Sequence, residues 1–126
     1  MQLLIDTHIL IWFLEGKSSL SAKRKLLIVN GDNSVFISIA SLWEIAIKVS
    51  LSKLDLSATI PAMIERVQAE SIEILAITPD HILKVSNLPF YHRDPFDRMI
   101  IAQALVEDMP LISTDSDFTK YGVTLL

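Results

Sequence analysis

The chain has 126 residues, 51% of them hydrophobic, and a net charge of −4 from 11 basic and 15 acidic side chains, which suits the core of one domain and excludes a disordered chain. The absence of cysteine excludes disulfide stapling, zinc–thiolate sites and a thiol nucleophile. Mean hydropathy is +0.44, but the longest apolar run, Ile9–Leu14, falls far short of the roughly 20 residues of a spanning helix, and Met1–Asp6 lacks the basic start of a secretory signal, so a cytoplasmic protein is expected.

Short β-like runs alternate with helical ones. Leu3-Leu4-Ile5 is an apolar run followed by a helical pattern from Thr7 to Glu15, closed by Gly16. Ser21 to Val29 reads as a second helix, and Ser34–Ser38, rich in β-formers, as a strand. Ser41 to Ser50 is a helix apolar nearly all round, which predicts burial and places Trp43 in the core. Ser57 to Ala69 is a further helix, with Pro61 tolerable only in its first turn. Glu73–Ile77 reads as a third strand and Pro79–Ser86 as a short helix. Asp94 to Glu107 is the clearest helix: Asp94 suits the N-cap, Pro95 the first helical position, and Phe96, Ile100 and Ala104 recur at four-residue spacing. Leu111–Ser113 is a fourth strand, Asp115–Tyr121 a short helix and Val123–Leu126 a last strand. The alternation predicts a single α/β domain over residues 1–126, with a mainly parallel sheet of four to five strands flanked by helices.

Sites in such a sheet form beyond the carboxyl ends of the strands, and several acids fall there. Asp6 follows the first strand, Asp115 the fourth, with Asp117 close behind. Asp94 and Asp97 open the long helix, and Glu44 stands in the apolar turn Leu42–Ile47. Each acid alone has an ordinary explanation. Asp6, Asp94, Asp115 and Asp117 suit helix caps, Asp97 a capping box, and Glu44 an i,i+4 pair with Lys48. Together they form a like-charged cluster that a cation would relieve. With no Cys and three scattered His, the donors would be oxygen, which favours Mg²⁺ or Mn²⁺ and metal-assisted phosphodiester hydrolysis.

Four segments resemble the PIN-domain family, and within it the VapC-like toxins of prokaryotic toxin–antitoxin systems. They are Leu4–His8, Ser38–Lys48, His92–Ala104 and Ile112–Phe118, with Asp94-Pro95-Phe96-Asp97-Arg98 the most specific stretch. The resemblance spans essentially the whole chain. It implies a PIN fold and a Mg²⁺- or Mn²⁺-dependent endoribonuclease whose catalytic and metal-holding acids map onto Asp6, Glu44, Asp97 and Asp115. Asp94, Asp117 and the hydroxyl of Thr114 are further candidates, and Asp115 is preferred to Asp117 because it lies nearer the strand end. The resemblance also implies an antitoxin partner and a homodimer. Apolar residues in excess of one helix face, Ile9, Ile11, Trp12, Phe13 and the 41–50 helix, are compatible with such contacts and equally with core packing.

Arg93, Arg98 and His92 flank the acid pair and are candidates for RNA phosphate, because Arg binds phosphate bidentately. His8 could orient a metal's water shell or simply sit at a helix start. Lys23-Arg24-Lys25 reads as a solvated face. Among the aromatic residues Phe90 and Tyr91 are the better candidates for stacking on unpaired bases, ahead of Trp12 and Trp43. The acidic balance argues against DNA binding by this chain alone. Two other readings stand beside the nuclease. One is a non-catalytic PIN-like binding module. The other, a receiver-type Mg²⁺-binding signalling domain, is weakened because Asp6 stands alone and no late strand carries a Lys.

Overall fold

A computed structural model describes all residues, 1–126. Four strands, β1 (Gln2–Ile5), β2 (Ser34–Ser38), β3 (Glu73–Leu75) and β4 (Leu111–Ile112), form one sheet in the order β3-β2-β1-β4, with every pairing parallel. The helices are α1 (Thr7–Glu15), α2 (Ala22–Val29), α3 (Ile39–Ser50), α4 (Ile60–Ala69), α5 (Pro79–Asn87) and α6 (Pro95–Glu107), and a 3-10 turn spans Ser116–Tyr121. None is long and apolar enough to cross a membrane.

Alternation within the strands builds two cores, because successive strand side chains point to opposite faces. Leu3, Ile5, Val35, Ile37 and Ile112 share one face with Ile9, Leu10, Ile45, Met63 and Val67. Leu4 and Leu111 point the other way, onto Ile100, Ile101, Ala104 and Phe118. With helices on both faces, β1 has no polar face. This explains the unbroken apolar run Leu3-Leu4-Ile5, all fully buried. Each such side chain contributes about 1.5–3 kcal/mol by leaving water.

The helix boundaries follow local chemistry. Asp6 caps α1 by accepting from the Ile9 N–H at 2.9 Å, and Gly16 ends it in the left-handed region at φ +64°. Asp94 caps α6 by accepting from the Asp97 N–H at 2.9 Å, with Pro95 behind it. Several expectations are corrected. The helix expected from Ser57 starts at Ile60, because Thr59 caps it through the Ala62 N–H and Pro61 then lies in its first turn. The third strand stops at Leu75 and the fourth at Ile112. The last strand reduces to a single bridge, Leu111 to Leu125, and the 115–121 helix is a 3-10 turn. Trp43 is not core: it is 61% exposed and lies edge-on to Phe96 of α6 at 5.3 Å.

Register and strand order place the site. Ile5 pairs with both Ile37 and Ile112, so Asp6, Ser38 and Ser113 emerge side by side at the carboxyl edge. The chain progresses β1, β2, β3 in one direction and then returns to add β4 on the other side of β1. That reversal opens a crevice between the ends of β1 and β4, and Asp6 and Asp115 border it.

Candidate metal centre

Asp6 enters the crevice from the end of β1 and is almost fully buried. Burial raises its pKa, opposed by the Ser113 side chain and the Ile9 N–H, with Asp115 adding a smaller upward push. Its capping role and its place in the cluster therefore coexist. Glu44 comes from α3, one turn past the end of β2, and is 3% exposed. Both its oxygens are engaged: Thr7 Oγ1 donates to Oε1 at 2.7 Å and Lys48 Nζ to Oε2 at 2.6 Å. The pairing with Lys48 and the burial of Glu44, alternatives in the sequence, both hold. The Lys48 pKa rises chiefly through this hydrogen bond to Glu44.

Asp97, in the first turn of α6, carries the largest consequence of the crowding. Burial comes first and the Asp94 charge second, with Glu44 and Asp6 adding smaller repulsions. Against the opposing influence of His92 they push its pKa up to about 7. Asp115 stands on the loop after β4 and caps the 3-10 turn by accepting from the Asp117 N–H at 3.0 Å. Its other oxygen meets His92 Nε2 at 3.2 Å, and Asp97 Oδ2 lies at 3.2 Å from the same nitrogen. One donor atom each from His92, Asp97 and Asp115 fall within 4.8 Å of one another.

The structure thus brings together Asp6, Glu44, Asp97 and Asp115, with Asp94 beside them. Asp117 and Thr114 turn out to solvent, and Asp117 pairs with Lys120 at 3.1 Å. Arg98 requires correction. It is 6% exposed, and its guanidinium donates to the carbonyls of Pro89, His92, Val85 and Leu88 while lying 4.1 Å from the centroid of Phe90, so it is not presented to a ligand. His92 turns inward to the acids. Arg93 is exposed, as are His8, Phe90 and Tyr91; Tyr91 lies edge-on to Tyr121. Thr7 and Ser113 were not singled out in the sequence. A hydroxyl immediately after Asp6, and another immediately after the neighbouring strand, were the available signals.

Could these residues hold a cation? The acids offer carboxylate oxygen, with the His92 imidazole against two of them. The site is poor in neighbouring positive charge, with Lys48 committed to Glu44, and burial together with like-charge repulsion keeps a proton on Asp97 near neutral pH. A hard divalent ion fits that chemistry.

An all-parallel α/β sheet with carboxylates gathered at its switch point defines a class, an α/β fold with a candidate oxygen-donor metal site. The chain belongs to the PIN-domain family, whose model matches residues 3–123. No curated protein matches it. Among solved structures it is similar to VapBC2 from Rickettsia felis bound to a promoter DNA fragment. That likeness has a TM-score of 0.76 and 16% identity over 100% of this chain and 98% of that one. VapBC-1 from Haemophilus influenzae gives a TM-score of 0.70 at 16% identity over 100% and 97%. A toxin–antitoxin complex from Klebsiella pneumoniae gives 0.60 at 23% over 91% and 88%. At these identities the likeness is one of fold.

Proposed function

We propose that this chain is a Mg²⁺- or Mn²⁺-dependent endoribonuclease and the toxin of a toxin–antitoxin pair. The observation that carries the reading is the gathering of Asp6, Glu44, Asp97 and Asp115, from four separate elements, at the β1/β4 crevice. A fold retains such a group against its own repulsion when a cation is its natural complement. Asp6, Glu44, Asp97 and Asp115 would hold the metal, with Asp94 serving as cap. A metal ion so held would make a bound water more acidic and would offset charge on the phosphate under attack.

The chain's own residues supply the rest. Thr7 and Lys48 fix the Glu44 carboxylate in one rotamer. The α1 and α6 caps lock the backbones from which Asp6 and Asp97 project. A proton held on Asp97 must leave before the carboxylate can act as a ligand, so loading improves as pH rises toward 8. Arg93, exposed at the mouth, is the cation free to meet substrate phosphate. The partner reading is supported by the likeness to the toxin–antitoxin complex from Klebsiella pneumoniae. The homodimer reading is supported by the exposed apolar residues Ile39 and Trp43 of α3, Leu51 just after it, and Ile82 and Leu83 of α5.

The test is RNA cleavage by antitoxin-free protein, with and without EDTA, against Asp6→Asn. Mapping new RNA 5′ ends after brief induction in bacteria would name the substrate. Discrete cleavage by the parent alone supports the proposal. Metal binding without cleavage of any RNA would replace it with the non-catalytic binding module.

A further inference from the structure

His92 lies in the loop between α5 and α6, yet its side chain meets acids from two other elements, Asp97 of α6 and Asp115 after β4. Its ring is 18% exposed and rests on Phe118, with centroids 5.5 Å apart. The loop is stapled from behind. The buried Arg98 binds the carbonyls of Pro89 and His92, and the Tyr121 hydroxyl accepts from the His92 N–H at 2.7 Å while donating to the Pro89 carbonyl at 2.8 Å. The ring itself is oriented by the Asp94 N–H, which donates to Nδ1 at 3.3 Å. A nitrogen that accepts from an amide carries no proton, so the proton of the neutral ring is on Nε2. That Nε2–H is directed to Asp115 Oδ2 at 3.2 Å, and Asp97 Oδ2 stands at 3.2 Å from the same nitrogen as a charge contact.

We infer that His92 is a positioning residue: its ring, oriented by the Asp94 amide, holds Asp115 through Nε2–H with Asp97 in charge contact at the same nitrogen, and sets the separation at which these two carboxylates receive the metal. The inference rests on the metal-dependent reading above and deepens it. His92 is not itself a ligand in this arrangement. Coordination through Nε2 would move the proton to Nδ1, where it would confront the Asp94 N–H, donor against donor. Neither Asp97 nor Asp115 has another side-chain link to the other's element. Without His92 the start of α6 and the loop after β4 would hold their carboxylates at an unregulated distance. Groups that orient metal ligands from outside typically change affinity 10–100-fold when removed.

The test uses two amide variants and the wild-type ring. Gln at 92 places an N–H donor near the Nε2 position; Asn retains an acceptor for the Asp94 amide but cannot reach the acids. Mn²⁺ binding is measured by the loss of the free-ion paramagnetic signal, and RNA cleavage gives kcat and KM. His92→Gln is expected within about threefold of wild type for Mn²⁺. His92→Asn should bind Mn²⁺ about 10–100-fold more weakly and lose kcat, with KM for RNA unchanged. In the wild type, ¹⁵N imidazole shifts should show Nε2 protonated both before and after Mg²⁺ is added. Loss of that proton on adding Mg²⁺ would make His92 a ligand and overturn the assignment. So would His92→Asn and His92→Gln behaving alike, or a rise in KM alone, which would return His92 to a phosphate contact. Wild type that binds Mn²⁺ with His92→Asn unimpaired removes this inference alone; wild type that binds no Mn²⁺ removes the metal reading and this inference with it.

Discussion

Asp97→Asn should stabilise the metal-free protein, and by an amount that depends on pH. An aspartate that titrates at 3.8 in an unfolded chain titrates at about 7 here. The folded state therefore binds more protons than the unfolded state across that interval. Stability falls as pH rises from about 4 to about 7 and is level above. At pH 8, where the group is ionised in both states, the full difference corresponds to about 4 kcal/mol. The side chain retains 27% exposure, and water screening reduces the working value to roughly half. Asn also forgoes about 0.5 kcal/mol of charge–dipole interaction at the start of α6. The net expectation is a gain of about 1–2 kcal/mol at pH 8, or roughly 4–8 °C in Tm for a domain of this size. At pH 4 and below the variant should match the parent. Urea denaturation of both proteins in EDTA, at pH 4, 6 and 8, measures this. Taking the difference between the proteins cancels titrations they share. A difference of equal size at pH 4 and pH 8, or a variant less stable at pH 8, would refute the electrostatic account of the cluster.

In saturating Mg²⁺ or Mn²⁺ the order should reverse. A ligand at a hundredfold over its Kd stabilises the folded state by about 2.7 kcal/mol, and wild type should gain this while Asp97→Asn gains little; thermal melts with and without EDTA decide it. Glu44→Gln should abolish RNA cleavage while costing only about 1 kcal/mol of stability, since Gln still accepts from Thr7 but leaves Lys48 without its charge partner. Activity at the parental rate would remove Glu44 from the site. Arg98→Met should destabilise the fold by about 3 kcal/mol in urea titrations, because four carbonyls lose their donor; a change in RNA affinity with unaltered stability would contradict its structural role. Asp94→Asn should retain capping and at least partial cleavage, and complete loss of activity in a folded variant would place Asp94 among the metal-holding acids.

Much of this protein was legible from one dimension. The parallel sheet was legible in the alternation of strands and helices, while the helix starts at Asp6 and Asp94 and the Gly16 stop are local matters, decided by a cap, a fixed proline φ or a residue that tolerates positive φ. The acids could be found because a carboxylate just past a strand end, or alone in an apolar helix turn, is conspicuous in sequence. The likeness of four segments to one family then joined them. What the chain order could not convey was who faces whom. Trp43 looks like core in a helix apolar nearly all round, and only the packing of α3 decides that its ring lies mostly in solvent, against Phe96. Arg98 sits beside the acids in sequence, yet helical geometry turns it to the opposite side, where loop carbonyls require a donor. The choice of Asp115 over Asp117 follows from the 3-10 turn, which sends one side chain to the crevice and the next to water. His92 is the sharpest case: next to Arg93 it suggests a phosphate contact, but its orientation depends on an amide two residues away and a tyrosine 29 residues on. Local propensity is encoded within a few residues, whereas the direction of a side chain at a site is set by contacts that exist only after the sheet has closed.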